Sequence, residues 1–374
     1  MQLSNEDELR LNVLLANQPL AIRIHESSMT LYGLLRDGEV SVTLNPVGSD
    51  EKYLKLVRSF LSERALGSPG GYPFYLQRWT RMGQMREESL EQLLLLGDPT
   101  AVFAVVCAGG LTDEIARRAW WAVEDAENAR RMLQTEQVVK GETGKLLARY
   151  LIDYLPFESE AETMIESVRV ALQAGLLDEA TRLDLWKKSL RKTPYLVGFI
   201  ASCPNELPIA ADMESADEGL LQDLQQLEES SNQLAGLLRK TLSGEGQAFV
   251  ETCARILKKP ATQDVVNTTL DVLRDYYTAA RPQGNPDLDM QQLLAEAEEF
   301  VEISDQAKAV LRLDPQLTRQ LQALRVCSGL GYGVLRPALK GSDAMGSLMR
   351  RKLEPALTPL LNLLDSLRAQ PGNQ

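Results

Sequence analysis

The residues that most often carry chemistry in proteins are sparse in this chain, which holds one histidine and four cysteines in 374 residues. Imidazoles act as general acids and bases and bind metals, but one imidazole makes neither a multi-histidine metal centre nor a catalytic pair. His25 lies in an alternating apolar and polar pattern typical of a strand. We interpret it as a structural or exposed residue, because the sequence offers no partners for a serine–histidine or cysteine–histidine arrangement.

The four cysteines are far apart, at positions 107, 203, 253 and 327. None belongs to a Cys-x-x-Cys pair, so zinc, iron–sulfur and thioredoxin-like sites lack their ligand spacing. We expect buried, reduced thiols, because cysteine packs as a small apolar side chain. Cys107 and Cys327 are the candidate reactive thiols.

Two acidic clusters, at 158–162 and 296–302, would bind a cation only if their carboxylates converged. On a helix such carboxylates spread around the axis, and helix N-terminal charge or a solvated face explains both clusters. The glycine-rich segment 329–333 follows a predicted helix instead of a strand, which favours a helix break over a dinucleotide-binding loop. The chain has no Walker loop and no Gly-x-Ser-x-Gly motif. The sequence therefore predicts a protein that is not an enzyme and binds no metal or cofactor.

The segment 67–86 combines glycines with four aromatic residues and three arginines. Helical spacing places four of its side chains on one face: Tyr75, Arg78, Trp79 and Met82. Tyrosine, tryptophan and arginine are enriched among the residues that contribute most to binding partners. Aromatic residues at this spacing are more often buried, with arginine stems along the edge, so core packing is the competing interpretation. Tyr75, Arg78 and Trp79 are candidate partner-binding residues.

One phrase occurs twice: Gly-Leu-x-Asp-Glu-x-x-Arg-x-x-x-Trp begins at position 110 and again 65 residues later at position 175. Self-similarity at a fixed offset indicates stacked helical units. In each copy glycine ends one helix and Asp-Glu favours the start of the next, because carboxylates stabilise the positive end of a helix. The spacing predicts the ordinary intrahelical ion pairs Asp113–Arg117 and Asp178–Arg182.

The tryptophans that close the two copies, Trp121 and Trp186, are predicted to lie in the core. Adjacent residues on a helix point about 100° apart. Trp120 is therefore predicted to face a groove or the surface, and it joins the candidate partner-binding residues.

The N-terminal part predicts a helix over 5–16, with Leu9, Val13 and Leu14 on one side, and then an antiparallel β meander over about residues 20–45. Beyond residue 49 the spacing predicts helices almost throughout, as antiparallel pairs stacked in a HEAT-like α-solenoid or an irregular helical array. The predicted fold is therefore mainly α with a small N-terminal β meander. Helices are predicted near 50–66, 73–83, 87–96, 98–108, 112–123, 126–134, 143–155, 160–174, 178–191, 194–202, 218–242, 246–258, 261–280, 289–311, 314–328 and 344–369.

Changes in composition predict the domain bounds. The predicted divisions are a helix with the meander at 1–48, a repeat-like helical domain at 49–203, a linker at 204–217, a C-terminal helical domain at 218–369 and a loose tail at 370–374.

The net charge of −12 disfavours nucleic acid and anionic membranes as partners, since the longest run of basic residues, at 350–352, has only three members. No apolar stretch approaches the roughly 20 residues that a membrane helix requires. The first residues are acidic where a secretory signal is basic and then apolar. We expect a cytoplasmic protein with no membrane insertion.

Several phrases resemble one protein family. They occur at residues 12–16, 60–85, 88–99, 111–122 and 154–158. Through them the chain resembles the DsrS family, whose members are associated with the reverse dissimilatory sulfite reductase cluster of sulfur-oxidising bacteria. The resemblance is clearest over residues 1 to about 200. It implies a cytoplasmic accessory role in the oxidation of stored sulfur, and it carries no catalytic residue across to this chain.

The leading hypothesis is a non-catalytic interaction or assembly protein that contacts a protein of sulfur oxidation through a groove near Arg78, Trp79 and Trp120. One alternative is a sulfur-handling protein that uses a single cysteine as a persulfide acceptor. Another is a regulator that binds a sulfur metabolite in a helical cleft.

Overall fold

The computed structural model describes residues 3–67, 87–281, 285, 287–339 and 346–368. Over these residues the chain is mainly helical with one small antiparallel sheet near its N-terminus, which confirms the predicted fold class. Contacts group the chain into two compact units: residues 1–154 with 174–177, and residues 155–173 with 178–374. The predicted domain bounds at 49, 204 and 218 stay predictions.

The first unit begins with a helix and a meander, as predicted. The helix, α1 (Asn5–Ala16), begins where the Ser4 hydroxyl accepts a hydrogen bond from Asp7 N. Three strands then pair antiparallel in the order β1-β2-β3: β1 (Ala21–His25), β2 (Thr30–Leu35) and β3 (Gly38–Thr43).

One face of the sheet packs against α1 and against α2 (Asp50–Leu66) in a shared apolar cluster. Gly33 of β2 allows a close approach, since a Cβ at this position would lie 2.7 Å from Leu14 Cδ1. Of the three apolar residues expected on one side of α1, only Leu14 is buried; Leu9 is 65% exposed and Val13 is 55% exposed. The side of α1 that faces the sheet is instead the one that carries Leu11 and Leu14.

The other α-helices among the described residues of the first unit are α3 (Glu87–Leu93), α4 (Pro99–Val106), α5 (Asp113–Ala122), α6 (Ala126–Met132), α7 (Glu136–Lys140) and α8 (Glu142–Tyr154). Side chains cap the N-termini of several of these helices. The Thr112 hydroxyl caps α5 by accepting from Ile115 N, and the Asp125 carboxylate caps α6 by accepting from Glu127 N.

The second unit contains α9 (Ala161–Ala171), α10 (Glu179–Ser189), α11 (Thr193–Ser202), α12 (Glu218–Glu229), α13 (Gln233–Leu242), α14 (Gly244–Lys258), α15 (Gln263–Tyr276), α16 (Met290–Ile303), α17 (Asp305–Leu313), α18 (Thr318–Cys327), α19 (Tyr332–Leu339) and α20 (Gly346–Ser366). Helices α9 and α11 cross closely, because Gly198 has no Cβ; one placed there would lie 2.5 Å from Val168 Cβ.

Two long predicted helices are broken in the structure. The one predicted over 218–242 stops at Glu229, Ser231 adopts a left-handed φ of 67°, and Asn232 starts α13 by accepting from Ala235 N. The one predicted over 289–311 is interrupted at Ser304, whose hydroxyl starts α17. Serine and asparagine bond their own backbone and so favour helix starts over helix interiors. The predicted helix near 73–83 and the tail at 370–374 lie outside the described residues.

The repeated phrase starts a helix in both copies, as predicted, but its arginines have other partners. Arg117 pairs with Glu114 at 2.8 Å, and Arg182 pairs with Glu179 at 3.5 Å. Both pairs span three residues instead of the predicted four. The two copies of the phrase therefore share a glutamate–arginine ion pair near the start of their helices, α5 and α10.

The aspartates of the phrase bond backbone amides. Asp113 Oδ1 accepts from Thr143 N at 3.2 Å, and Asp178 Oδ1 caps α10 by accepting from Thr181 N at 2.7 Å. The predicted pairing of these aspartates with arginines is wrong, because an aspartate at a helix start is close to amides that lack a helical partner.

Candidate partner-binding surface

Three of the four candidate partner-binding residues lie outside the described residues: Tyr75, Arg78 and Trp79. The fourth, Trp120, is only 6% exposed, and its ring packs edge-on against Tyr150 with centroids 4.7 Å apart. The prediction that Trp120 faces a groove or the surface is therefore wrong. It shares the buried side of α5 with Ile115, Ala116 and Ala119.

Trp121, predicted in the core, is half-exposed and lies against the polar face of the sheet. Its Nε1–H donates to Glu39 Oε2 at 3.0 Å, and the Arg23 guanidinium lies 4.7 Å from its ring centroid. Arg23 also stacks over the Tyr32 ring and pairs with Glu39 at 3.1 Å. The orientations of Trp120 and Trp121 are thus exchanged relative to the prediction, whereas Trp186 is buried as expected.

This arginine–aromatic cluster has the residue types that are common at binding hot spots. Its polar groups, however, already bond one another: Glu39 accepts from both Arg23 and Trp121. The contacts join α5 to residues of all three strands. We therefore interpret the cluster as a structural link between α5 and the sheet.

An open apolar groove runs between α1 and β3. Its volume is about 510 Å³, and it is lined by Leu9, Arg10, Val13, Leu14, Asn17 and residues 40–43. Leu9 and Val13 contribute the two large exposed apolar side chains of α1, while Val40 and Val42 of β3 are half-buried. The groove thus exposes apolar side chains from two elements at one place.

The strand that borders this groove has a free edge. Leu44 N donates to Met29 O at 2.8 Å, and backbone groups alternate along a strand, so those of Glu39, Ser41 and Thr43 point away from β2. The Thr43 carbonyl accepts from Arg10 Nη1 at 3.1 Å. Among the described residues, the outward groups of Glu39 and Ser41 have no hydrogen-bond partner in the protein.

The opposite edge of the sheet is bonded to another segment. Ile22 N of β1 donates to Leu94 O at 2.8 Å. Exposed edge strands are normally protected by such contacts, by proline or by charged side chains, because free amides and carbonyls attract another strand. The sequence of β3, Gly-Glu-Val-Ser-Val-Thr, contains neither proline nor lysine, and the carboxylate of its one charged residue, Glu39, is bonded to Arg23 and Trp121.

The second unit has a groove of about 420 Å³ beside α13. Lys240 Nζ lies 3.9 Å from the Tyr276 ring centroid, and burial lowers the pKa of Lys240 while Glu245 opposes this effect. The neighbouring Arg239 already pairs with Glu228 at 2.7 Å. This groove offers charged groups without the exposed apolar pair and free strand edge found beside β3.

The two candidate reactive thiols differ in accessibility. Cys107 is exposed, whereas Cys327 is fully buried and burial raises its pKa to about 12. Cys253, expected to be buried, is fully buried, and burial raises its pKa well above the ordinary value. Partial burial also raises the pKa of Cys107, which Arg131 opposes.

We expect iodoacetamide to modify Cys107 in the native protein and to leave Cys253 and Cys327 unmodified until the chain is denatured. The thiolate is the reacting species, and burial suppresses both its formation and its contact with the reagent. Peptide mass spectrometry of native and denatured samples measures this difference. Modification of native Cys327 at a rate close to that of Cys107 would contradict the buried position.

No group of three or more histidine, cysteine, aspartate or glutamate side chains in the described part of the chain is arranged to hold a metal ion. None of the helices in that part is both long and apolar enough to span a bilayer. No protein-family model, curated protein or solved structure matches the chain.

Proposed function

We propose that the protein is a non-catalytic interaction protein that binds a partner protein through the groove between α1 and β3. The observation that carries this proposal is the coincidence of exposed Leu9 and Val13 with the free edge of β3. Exposed apolar side chains that line a groove are a common feature of protein interaction sites.

The resemblance to the DsrS family supports the cellular setting that we propose, an accessory role in cytoplasmic sulfur oxidation. The partner is then a protein of that process. The persulfide-acceptor and metabolite-binding alternatives stay predictions. Of the two candidate thiols, the exposure of Cys107 makes it the one to test after incubation with a persulfide donor.

Capture of partners from sulfur-oxidising cells tests the proposal. The tagged full-length chain is compared with Leu9→Asp and with Ile303→Asp, a matched control whose wild-type side chain is 64% exposed against 65% for Leu9. We expect Leu9→Asp to reduce recovery of the specific partner about tenfold, since burial of one large apolar side chain contributes roughly 1.5 kcal/mol or more. Ile303→Asp should recover it as the wild type does.

Equal recovery with Leu9→Asp and with the wild type, or no partner specific to the wild type, would overturn the proposed surface. A groove-dependent partner with no role in sulfur oxidation would overturn only the proposed cellular setting. Quantitative mass spectrometry of the captured proteins distinguishes these results.

A further inference from the structure

The free edge of β3 specifies the backbone conformation of whatever pairs with it. The outward amide and carbonyl of Glu39 and Ser41 are spaced for another extended strand, and an α-helix has no free backbone groups in its interior with which to bond them. An extended segment that pairs here would become the fourth strand of the sheet, next to β3.

The groove specifies the side chains of that segment. Leu9 and Val13 are four residues apart, which is about 6 Å along a helix. Alternate residues of a strand are about 6.7 Å apart and point to the same face. A strand that pairs with β3 and runs beside α1 can therefore place two alternate apolar side chains against Leu9 and Val13.

The net charge of the N-terminal part of the first unit indicates the charge of the segment. Residues 1–48 contain six acidic residues, three arginines and no lysine. The arginine that lines the groove, Arg10, is already bonded to Glu6 at 2.5 Å and to the Thr43 carbonyl. The net charge of residues 1–48 is therefore negative, which favours positively charged residues in a segment that binds here.

We infer that the occupant of the groove is an extended segment of a partner protein, with apolar residues at alternate positions and basic residues on its flanks, which adds to β3 by backbone pairing. This inference rests on the proposed function and names the kind of partner. A second copy of this chain is disfavoured as the occupant, because two chains that each carry a net charge of −12 repel one another.

A random peptide library displayed against the full-length chain provides the probe. We expect the enriched peptides to combine alternate apolar residues with lysine or arginine flanks, and their affinity to fall as salt concentration rises. Enrichment of no peptides, or of acidic or helical peptides, would overturn the inference.

Protein variants then test the backbone pairing. Ser41→Pro removes an outward amide that β2 does not use, whereas Ser41→Ala keeps this amide and removes only the hydroxyl. We expect Ser41→Pro to weaken binding of an enriched peptide about tenfold, in line with the loss of an intermolecular hydrogen bond, and Ser41→Ala to change it little. Circular dichroism checks that both variants fold.

Methylation of the peptide amides one at a time tests the same pairing without changing the protein. We expect loss of binding at every second position, because alternate amides face β3. Equal tolerance at all positions would overturn strand addition. If Leu9→Asp still abolishes partner capture in that case, the proposed groove stands and only the extended conformation is wrong.

Analytical ultracentrifugation tests whether a second copy of this chain occupies the edge of β3. A dimer of the wild-type chain that Ser41→Pro converts to a monomer would show that a second copy occupies the edge, and this result would overturn the inference. A monomer that binds the enriched peptides with one-to-one stoichiometry is the expected result.

Discussion

Replacement of Glu296 by glutamine is expected to lower the free energy of unfolding by about 3 kcal/mol, because it leaves two buried arginines without a carboxylate. The side chains of Arg281 and Arg325 are 6% and 10% exposed, and both pair with Glu296. Burial and the charge of Arg325 lower the pKa of Arg281, and Glu296 opposes both effects. The expected loss of unfolding free energy is at the low end of the range for breaking a buried ion pair, since Glu296 is itself 30% exposed.

The geometry of this cluster fixes Arg325 in place, so the protein cannot easily move the charge into water. Arg325 Nη1 donates to Ala280 O at 2.5 Å, and its guanidinium lies 4.3 Å from the Phe300 ring centroid. Arg325 thus connects α18 to the segment before Arg281 and to α16. Loss of Glu296 should therefore destabilise the packing of three segments in the second unit.

Denaturant unfolding followed by circular dichroism measures this effect. Glu299→Gln is the matched control, since Glu299 lies on the same helix, is exposed and forms no ion pair within the described part of the chain. The control should change the free energy of unfolding by less than about 0.5 kcal/mol. If Glu296→Gln unfolds like Glu299→Gln, the arginine cluster does not stabilise the protein in this way.

Local patterns were enough to predict much of the fold. The alternation around the turn at 36–39 predicted the β meander, and the helix starts at Thr112 and Asp178 follow from side chains that cap free amides. The predicted helix bounds were wrong where a single residue decides between a helix and a turn. Ser231 adopts a left-handed φ inside a segment whose apolar spacing fits one long helix, and spacing alone cannot reveal that turn.

Orientation of side chains was harder to predict than the helices themselves. Trp120 and Trp121 both belong to α5, and the repeated phrase favoured the second of them for the core. The choice depends on contacts with Tyr150 in one direction and with Arg23 in the other, which lie far away in the sequence. A repeat of sequence therefore predicts a helix start but not the surface against which each helix packs.

The groove beside β3 had a partial signal in the sequence. Leu9 and Val13 are four residues apart on α1, and the alternating β3 sequence lacks the proline or lysine that protects many edge strands. What the sequence could not supply is that α1 turns Leu11 and Leu14 towards the sheet and leaves the other apolar pair exposed. That choice depends on the close contact of Leu14 with Gly33.

Replacement of Gly246 by alanine is expected to lower the free energy of unfolding by about 3 kcal/mol, at the upper end of the cost of overpacking. A Cβ on Gly246 would lie 2.1 Å from the carbonyl oxygen of Lys240 and 2.5 Å from that of Thr241. Both are backbone atoms at the end of α13, so relief requires α13 and α14 to separate. The neighbouring Gln247 amide bonds Thr241 O and Leu367 O, and this separation would strain those bonds.

The sign of the effect distinguishes this packing from intrinsic helix propensity. Alanine is favoured over glycine inside a helix by about 1 kcal/mol, so propensity alone predicts that Gly246→Ala stabilises the protein. Gly109→Ala is the control for a glycine-to-alanine change without steric contact, because Gly109 lies in a turn and a Cβ on it would meet no atom within 4 Å. Thermal unfolding should show a lower melting temperature for Gly246→Ala and little change for Gly109→Ala. A melting temperature for Gly246→Ala at or above that of the wild type would mean that α13 and α14 do not meet as closely as the structure has them.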